Sequence, residues 1–296
     1  METIPAKTIL SGYADTAWFG ANYNMNLYKG CCHGCIYCDS RSSCYRVERF
    51  DTVRAKENAL EILRRELLAK RRSGIVHTGA MSDPYNPFEK EACLTAGALD
   101  LLARHGFGAV LATKSDLAVR DAQRLLAVRR HAPAAVNFTV TTADDVLCRA
   151  IERCVCPTSA RLSAMRALTG AGVPCGVLLM PILPFINDTP ENIRAVVRRA
   201  ADAGASWIYA GPGFGVTLRD NQREYFYDRL DEAFPGLRRR YAETFGLRYA
   251  CVSPRHKELW ALFTAECRAA GLLWRMKDIA ARIREGYGPQ EQLTLF

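Results

Sequence analysis

Short apolar runs alternate with longer stretches in which leucine, isoleucine, valine and alanine recur at helical spacing, and this alternation repeats through most of the chain. The short runs read as buried strands and the longer stretches as amphipathic helices. A first strand is expected near "YNMNLYK" (23–29), then a helix across "TVRAKENALEILRRELLAKRRSG" (52–74) with Gly74 as its stop. Next come a strand "IVHT" (75–78), a helix to about His105, a strand "GAVLAT" (108–113) and a helix from Asp116 to about Arg130. "AVNFTVTT" (135–142) is followed by a helix from Ser159 to Thr169, and "CGVLLM" (175–180) by a helix in "PENIRAVVRRAADAG" (190–204). "WIYA" (207–210) closes the set.

Six strand–helix units in this order predict a parallel sheet with right-handed crossovers, two units short of an eightfold barrel. The fold class is therefore α/β, a partial (β/α)6 barrel of the TIM type, with a helical C-terminal extension from about Leu218 to Tyr287. The chain divides into an N-terminal segment (1–20), the barrel (21–213), the extension (214–287) and a tail (288–296). A curled parallel sheet carries its site at the C-terminal strand ends. The segments there, such as "GCCHGCIYC", "GAMSDPYNPFE", "KSDLAVRD" and "PILPFINDTPE", are rich in cysteine, polar and turn-forming residues, whereas the helix-to-strand connections are short and plain. Function is expected on that one rim.

Composition narrows the class. Of 296 residues, 49% are hydrophobic and 24% charged, which suits a soluble globular protein with a sizeable core. The longest apolar run, "GVLLMPILPFI" (176–186), is broken by prolines and too short to span a bilayer, and "METIPAKTIL" has no signal-peptide pattern. A cytoplasmic location with no membrane partner is expected. The net charge is +9, which suits a polyanionic partner but also ordinary solvated helix faces.

Five of the twelve cysteines lie within "YKGCCHGCIYCDSRSSCY" (28–45), directly after the first strand. Clustering of this kind in a chain without secretion signals indicates metal or redox chemistry rather than disulfides. Cys31, Cys35 and Cys38 have the spacing C-x3-C-x2-C. Three thiolates can hold three irons of a [4Fe–4S] cluster and leave the fourth open to a small chelating ligand. Gly30 and Gly34 permit the tight turns this needs. A closed zinc site completed by Cys32 or Cys44 is the alternative. Cys148, Cys154 and Cys156 ("CRAIERCVC") follow no recognised ligand spacing, and the other cysteines suit buried structural roles. His33 lies in the cysteine loop itself.

The cysteine motif after the first strand of a six-unit α/β barrel resembles the radical S-adenosylmethionine enzymes, over about Tyr23 to Gly213. The resemblance implies a [4Fe–4S] cluster on Cys31, Cys35 and Cys38, with S-adenosylmethionine (SAM) on the open iron. It also implies an external one-electron reductant and hydrogen abstraction from substrate by a 5′-deoxyadenosyl radical. For SAM it implies contacts from Ser82 and Asp83 after the second strand, from Lys114 after the third, and from Thr139 and Thr141, which alternate on the fourth. Arg161 at the next helix start offers a fork for a carboxylate.

"CIYCDSRS", "AMSDPYNPFEKE", "ATKSDLAVRD", "MPILPFINDTPENI" and "GVTLRDNQR" resemble the spore photoproduct lyase branch and its relatives. That implies a nucleic-acid substrate and lyase-like repair of a DNA lesion. Two departures stand against the lyase reaction itself. Ala80 and Met81 occupy the positions where the lyase has its hydrogen-returning cysteine, and Asp39 follows Cys38 where the lyase has a second tyrosine. Tyr37 and Tyr85 are the candidate catalytic side chains, with Cys93 a further substitute donor. The tail "QLTLF" (Gln292–Phe296) resembles the peptide by which bacterial repair proteins dock on the DNA sliding clamp. Radical chemistry on a peptide or small metabolite, and a non-catalytic metal-bearing adaptor, are the alternative functions.

Overall fold

In the computed structural model, which describes residues 1–211 and 214–288, the expected sheet forms. Its parallel strands are β1 (Tyr23–Met25), β2 (Ile75–Thr78), β3 (Gly108–Thr113), β4 (Ala134–Thr139), β5 (Cys175–Leu178) and β6 (Trp207–Tyr209). They lie side by side in sequence order, and a further strand, Leu10–Gly12, pairs antiparallel with β1. The sheet is open: β6 and Leu10–Gly12 are its two edges. The crossover helices are α1 (Ala59–Leu68), α2 (Leu94–Arg104), α3 (Ala122–Arg129), α4 (Thr158–Gly170) and α5 (Pro190–Asp202). No helix among the described residues is long and apolar enough to cross a membrane.

Strand periodicity separates two apolar layers. Ala109 and Leu111 of β3, Val136 and Phe138 of β4, and Cys175 and Val177 of β5 face the helices. Val110 and Ala112, Ala135, and Leu178 face the concave side, where Phe19, Trp207, Ile279 and Ile283 join them. Gly176 of β5 is required there, because a Cβ would lie 1.9 Å from Nε1 of Trp207. That indole donates to Oδ1 of Asn137 on β4 at 2.7 Å.

The structure departs from these expectations in several places. The stretch 52–74 is not one helix: Arg54–Lys56 is a strand, paired parallel with Glu2–Ile4 and antiparallel with Tyr28–Lys29. Asn58, in the left-handed region at φ 51°, turns the chain into α1, which ends at Leu68, well before Gly74. Gly74 instead permits close approach, since a Cβ there would meet Tyr23 Cε2 at 2.8 Å. The N-terminal segment contributes strands to two sheets. The extension, besides helices Asp220–Ala233, Leu237–Phe245, His256–Ala269 and Met276–Arg284, forms an antiparallel ribbon of Gly215–Thr217 with Ala250–Val252. A short helix, Asp145–Ile151, also forms where none was expected. The tail peptide Gln292–Phe296 lies outside the described residues.

His77 of β2 sits on the concave side. The indole N–H of Trp18 donates to its Nε2 at 3.2 Å, so the neutral ring carries its proton on Nδ1, toward the Tyr13 hydroxyl. Burial lowers its pKa from 6.5 to about 4. The unfolded chain therefore takes up a proton that the folded chain refuses as pH falls below 6.5. Stability is expected to decline by about 1.4 kcal/mol per pH unit from this group as pH falls from 6.5 toward 4, and to be unaffected by it above 6.5. Urea unfolding across that range, with His77→Asn as the comparison, measures this contribution; equal slopes in the two proteins would exclude it.

Candidate active site

The cysteine loop leaves the short strand Tyr28–Lys29 through Gly30, at φ 82°, whose hypothetical Cβ would lie 2.3 Å from the Thr52 carbonyl oxygen. Only glycine fits this approach. The loop is then pinned by backbone bonds: Cys31 N–H to Phe50 O (2.8 Å), Ile36 N–H to Ile151 O (3.0 Å) and Cys154 N–H to His33 O (2.9 Å). Cys35 is buried, while Cys31 and Cys38 are half-buried. Burial pushes the Cys31 thiol up to about 12 and the Cys35 thiol well above its ordinary value. Thiolates there need a cation to offset desolvation, which is the chemistry of a metal-binding loop. Among the described residues no three Cys, His, Asp or Glu side chains gather as ligands of a single ion, whereas cluster ligands each serve a separate iron. The donor set fits an iron–sulfur cluster.

A cavity of about 440 Å³ opens beside this loop at the C-terminal rim. Tyr37, Cys38, Lys114, Met180, Gly211 and Val216 are among the residues that line it, so loops after several strands and the ribbon all reach it. Of the residues expected to contact SAM, Lys114 is the one that borders the cavity. Its ammonium stands 5.8 Å from the centre of the Tyr37 ring, and no hydrogen bond or ion pair engages it among the described residues. Burial opposes its charge, yet the field of Cys35, Glu152 and Asp83 outweighs that and raises its pKa.

The other expected contacts support the rim. Ser82 Oγ donates to Gly30 O at 2.7 Å. The buried Asp83 carboxylate accepts from Tyr85 N–H (2.8 Å), Thr113 Oγ1 (2.7 Å) and Lys114 N–H (2.7 Å), and faces His33 Nδ1 at 3.6 Å. Thr139 and Thr141 are buried outside the cavity lining, and Thr141 Oγ1 has no partner. Tyr85 is fully buried away from the cavity, and Cys93 caps a helix at the surface. Ala80 borders the cavity and Met81 Sδ lies 3.8 Å from Ser40 Oγ.

Arg161 is wholly enclosed. It pairs with Glu152 at 2.5 Å, donates to Thr139 O and Cys156 O at 2.9 Å each, and turns its last nitrogen to Cys148 Sγ at 3.4 Å. Glu152 also accepts the Tyr37 hydroxyl, and its backbone bridges to Cys35. Burial would raise the Glu152 carboxyl, but Arg161, Lys114 and the Tyr37 hydroxyl hold it below the usual carboxylate range. Nothing local in the sequence marks Glu152, because its pairing with the buried Arg161 arises only in the fold. Glu152→Gln is expected to lower stability by about 3–5 kcal/mol, because it leaves the guanidinium unpaired, and adding Arg161→Met should restore much of the loss. Urea unfolding of both variants checks this; an unchanged midpoint for Glu152→Gln would deny the pair its supporting role.

Comparison with known proteins accords with this geometry. Residues 25–200 match the Radical SAM superfamily. An uncharacterized protein of Mycobacterium tuberculosis is 30% identical over 86% of this chain and 75% of its own length. Another, of Methanocaldococcus jannaschii, is 28% identical over 57% of this chain and 63% of its own. Among solved structures, spore photoproduct lyase complexed with dinucleoside spore photoproduct superposes with a TM-score of 0.65 at 15% identity, covering 91% of this chain and 79% of that one. The radical SAM methyltransferase TsrM of Kitasatospora setae, with cobalamin and a [4Fe–4S] cluster bound, gives 0.53 at 13% identity, over 83% and 50%. The chain thus belongs to the radical SAM superfamily, whose cofactors are a [4Fe–4S] cluster and S-adenosylmethionine.

Proposed function

We propose that this chain is a radical SAM enzyme acting on nucleic acid, with a damaged DNA base or its methyl group as the site of hydrogen abstraction. Cys31, Cys35 and Cys38 would hold the cluster, and the SAM-binding space is the cavity beside Cys38. With both groups bound and an external one-electron reductant, they would supply radical hydrogen abstraction at a substrate held in this cavity. The observation that carries the reading is Lys114: an unpaired ammonium in the same cavity as Cys38, fixed by its backbone to Asp83, is suited to a carboxylate. Asp83 and Ser82 act as positioning residues for the rim, and Arg161 supports Tyr37 through Glu152.

Nucleic acid is supported by exposed aromatic surface next to the cavity-lining residues Asp39 and Ala250. Exposed Tyr45 and Tyr249 flank Arg219, which pairs with Asp39 at 3.1 Å and stands 4.7 Å from the Tyr249 ring centre, and such aromatic rings suit stacking on bases. The net charge of +9 and the likeness to a lyase bound to a dinucleoside lesion point the same way. The lyase-like reaction differs in one respect. Ala80 at the cavity wall has no S–H hydrogen to return, Tyr85 and Cys93 stand elsewhere, and the Tyr37 hydroxyl is committed to Glu152, so the thiol that lines the cavity apart from Cys38 is Cys251.

The test is anaerobic. Cluster-reconstituted wild type is expected to form 5′-deoxyadenosine from SAM and dithionite, with a yield that changes on adding irradiated DNA, while a Cys31/Cys35/Cys38→Ala triple variant forms none. Lys114→Met should keep its cluster absorbance and lose SAM affinity about 10- to 100-fold, the worth of a charge-assisted bond. A wild type that holds zinc and forms no nucleoside would overturn the enzyme assignment, and a DNA-independent yield would overturn the substrate class.

A further inference from the structure

A second cavity, of about 520 Å³, lies between the end of β6 and the helical extension. Its walls are Tyr209, Ala210, Trp260, Trp274 and the stems of Lys257 and Arg275, with His256 and Met276 completing it, and no carboxylate is among its lining residues. Trp260 is 36% exposed, an unusual surface position for an indole that packs on Phe214 and Phe263 behind it. Trp274 is half-buried, with the guanidinium groups of Arg268 and Arg275 5.7 and 5.9 Å from its ring centre. Among the described residues none of Lys257, Arg268 and Arg275 forms an ion pair, and all three are exposed. Their neighbours differ: Arg255 is held by Glu258, and Arg194 and Arg198 by Glu266. The pocket thus offers flat aromatic surface and uncompensated positive charge together.

We infer that this pocket binds a nucleotide of a single-stranded segment next to the one under reaction, its base against Trp260 and Trp274 and its phosphates on Lys257 and Arg275. Aromatic surface accepts any base by stacking, and unpaired cations at the edge meet the backbone. The pocket is placed for that work: Ala210 lines it and Gly211, the next residue, lines the reaction cavity, while Phe214 borders that cavity and backs Trp260. A strand crossing this wall would occupy both. An apolar peptide would leave the three cations without partners.

This inference rests on the nucleic-acid reading above, and its test separates the two. Binding of a fluorescein-labelled single-stranded DNA oligonucleotide to the full-length, cluster-loaded protein is followed by anisotropy across a salt series. Trp260→Ala and Trp274→Ala are each expected to weaken binding about 5- to 100-fold, in keeping with the loss of a stacked base. Lys257→Ala and Arg275→Ala, at exposed sites, are each expected to flatten the slope of log K against log salt by about 0.7. SAM affinity should be unchanged in all four. Wild-type binding that all four variants reproduce, in affinity and in slope, would overturn the pocket and leave the nucleic-acid reading standing. Absence of wild-type binding at low salt would overturn both.

Discussion

The buried pair of Glu152 and Arg161 is the constraint on which the reactive end of the molecule depends. Removing two charges from water costs several kcal/mol per ion, and a pair is tolerated only where further hydrogen bonds complete both partners. Here Arg161 reaches Thr139 O at the end of β4 and Cys156 O at the start of α4, and Glu152 accepts the hydroxyl of Tyr37 in the cysteine loop. The bridge between Cys35 and Glu152 and the bond from Ile36 N–H to Ile151 O lie alongside. A charged network thus fixes the loop to the barrel from behind, leaving its open side to the cavity.

Asp83 does the corresponding work from the other side. It takes the backbone N–H of Lys114 and the hydroxyl of Thr113, so the end of β3 is fixed while the Lys114 ammonium remains uncommitted. The backbone supplies the structural bond and the side chain is left free of it. The strand before the loop is held in the same fashion, since the Tyr28 hydroxyl reaches the buried Glu89, which also accepts from Thr95 N–H and pairs with Arg120. Neither carboxylate faces solvent, so each acts as an internal fixing point rather than as a surface acid.

These relations explain what could be read from the sequence. Strands such as Ile75–Thr78 and Gly108–Thr113 are legible because they are buried on both faces and each crossover is local, so apolar content alone marks them. The cysteine motif is legible because its spacing is local too. Arg54–Lys56 is not, because its polar residues become a strand only through pairing with Glu2–Ile4, and the ribbon joins segments separated by two helices. Arg161 was visible as a cation but not as the partner of Glu152, since the side chains meet only after Asp145–Ile151 and α4 fold together. Spacing marks a cysteine loop; which charges remain free is decided by tertiary partners.

The open sheet gives the extension its purpose. With no seventh parallel strand among the described residues, the outer edge of β6 would present bare backbone groups, a costly and adhesive surface. Leu273 covers part of that edge: Ile208 N–H donates to Leu273 O at 2.8 Å, and Leu273 N–H to Ser206 O. The next residues in the chain are Trp274 and Arg275, so satisfying the edge also carries an indole and a guanidinium to the side of Tyr209. On the other flank, the ribbon closes the reaction cavity with Val216 while helix Asp220–Ala233 donates Gln222 to Tyr37 O at 3.2 Å. The two units by which the sheet falls short of an eightfold barrel are thus replaced by elements that cap its edge, and the same elements form walls of two adjoining cavities on the side where the cysteine loop lies.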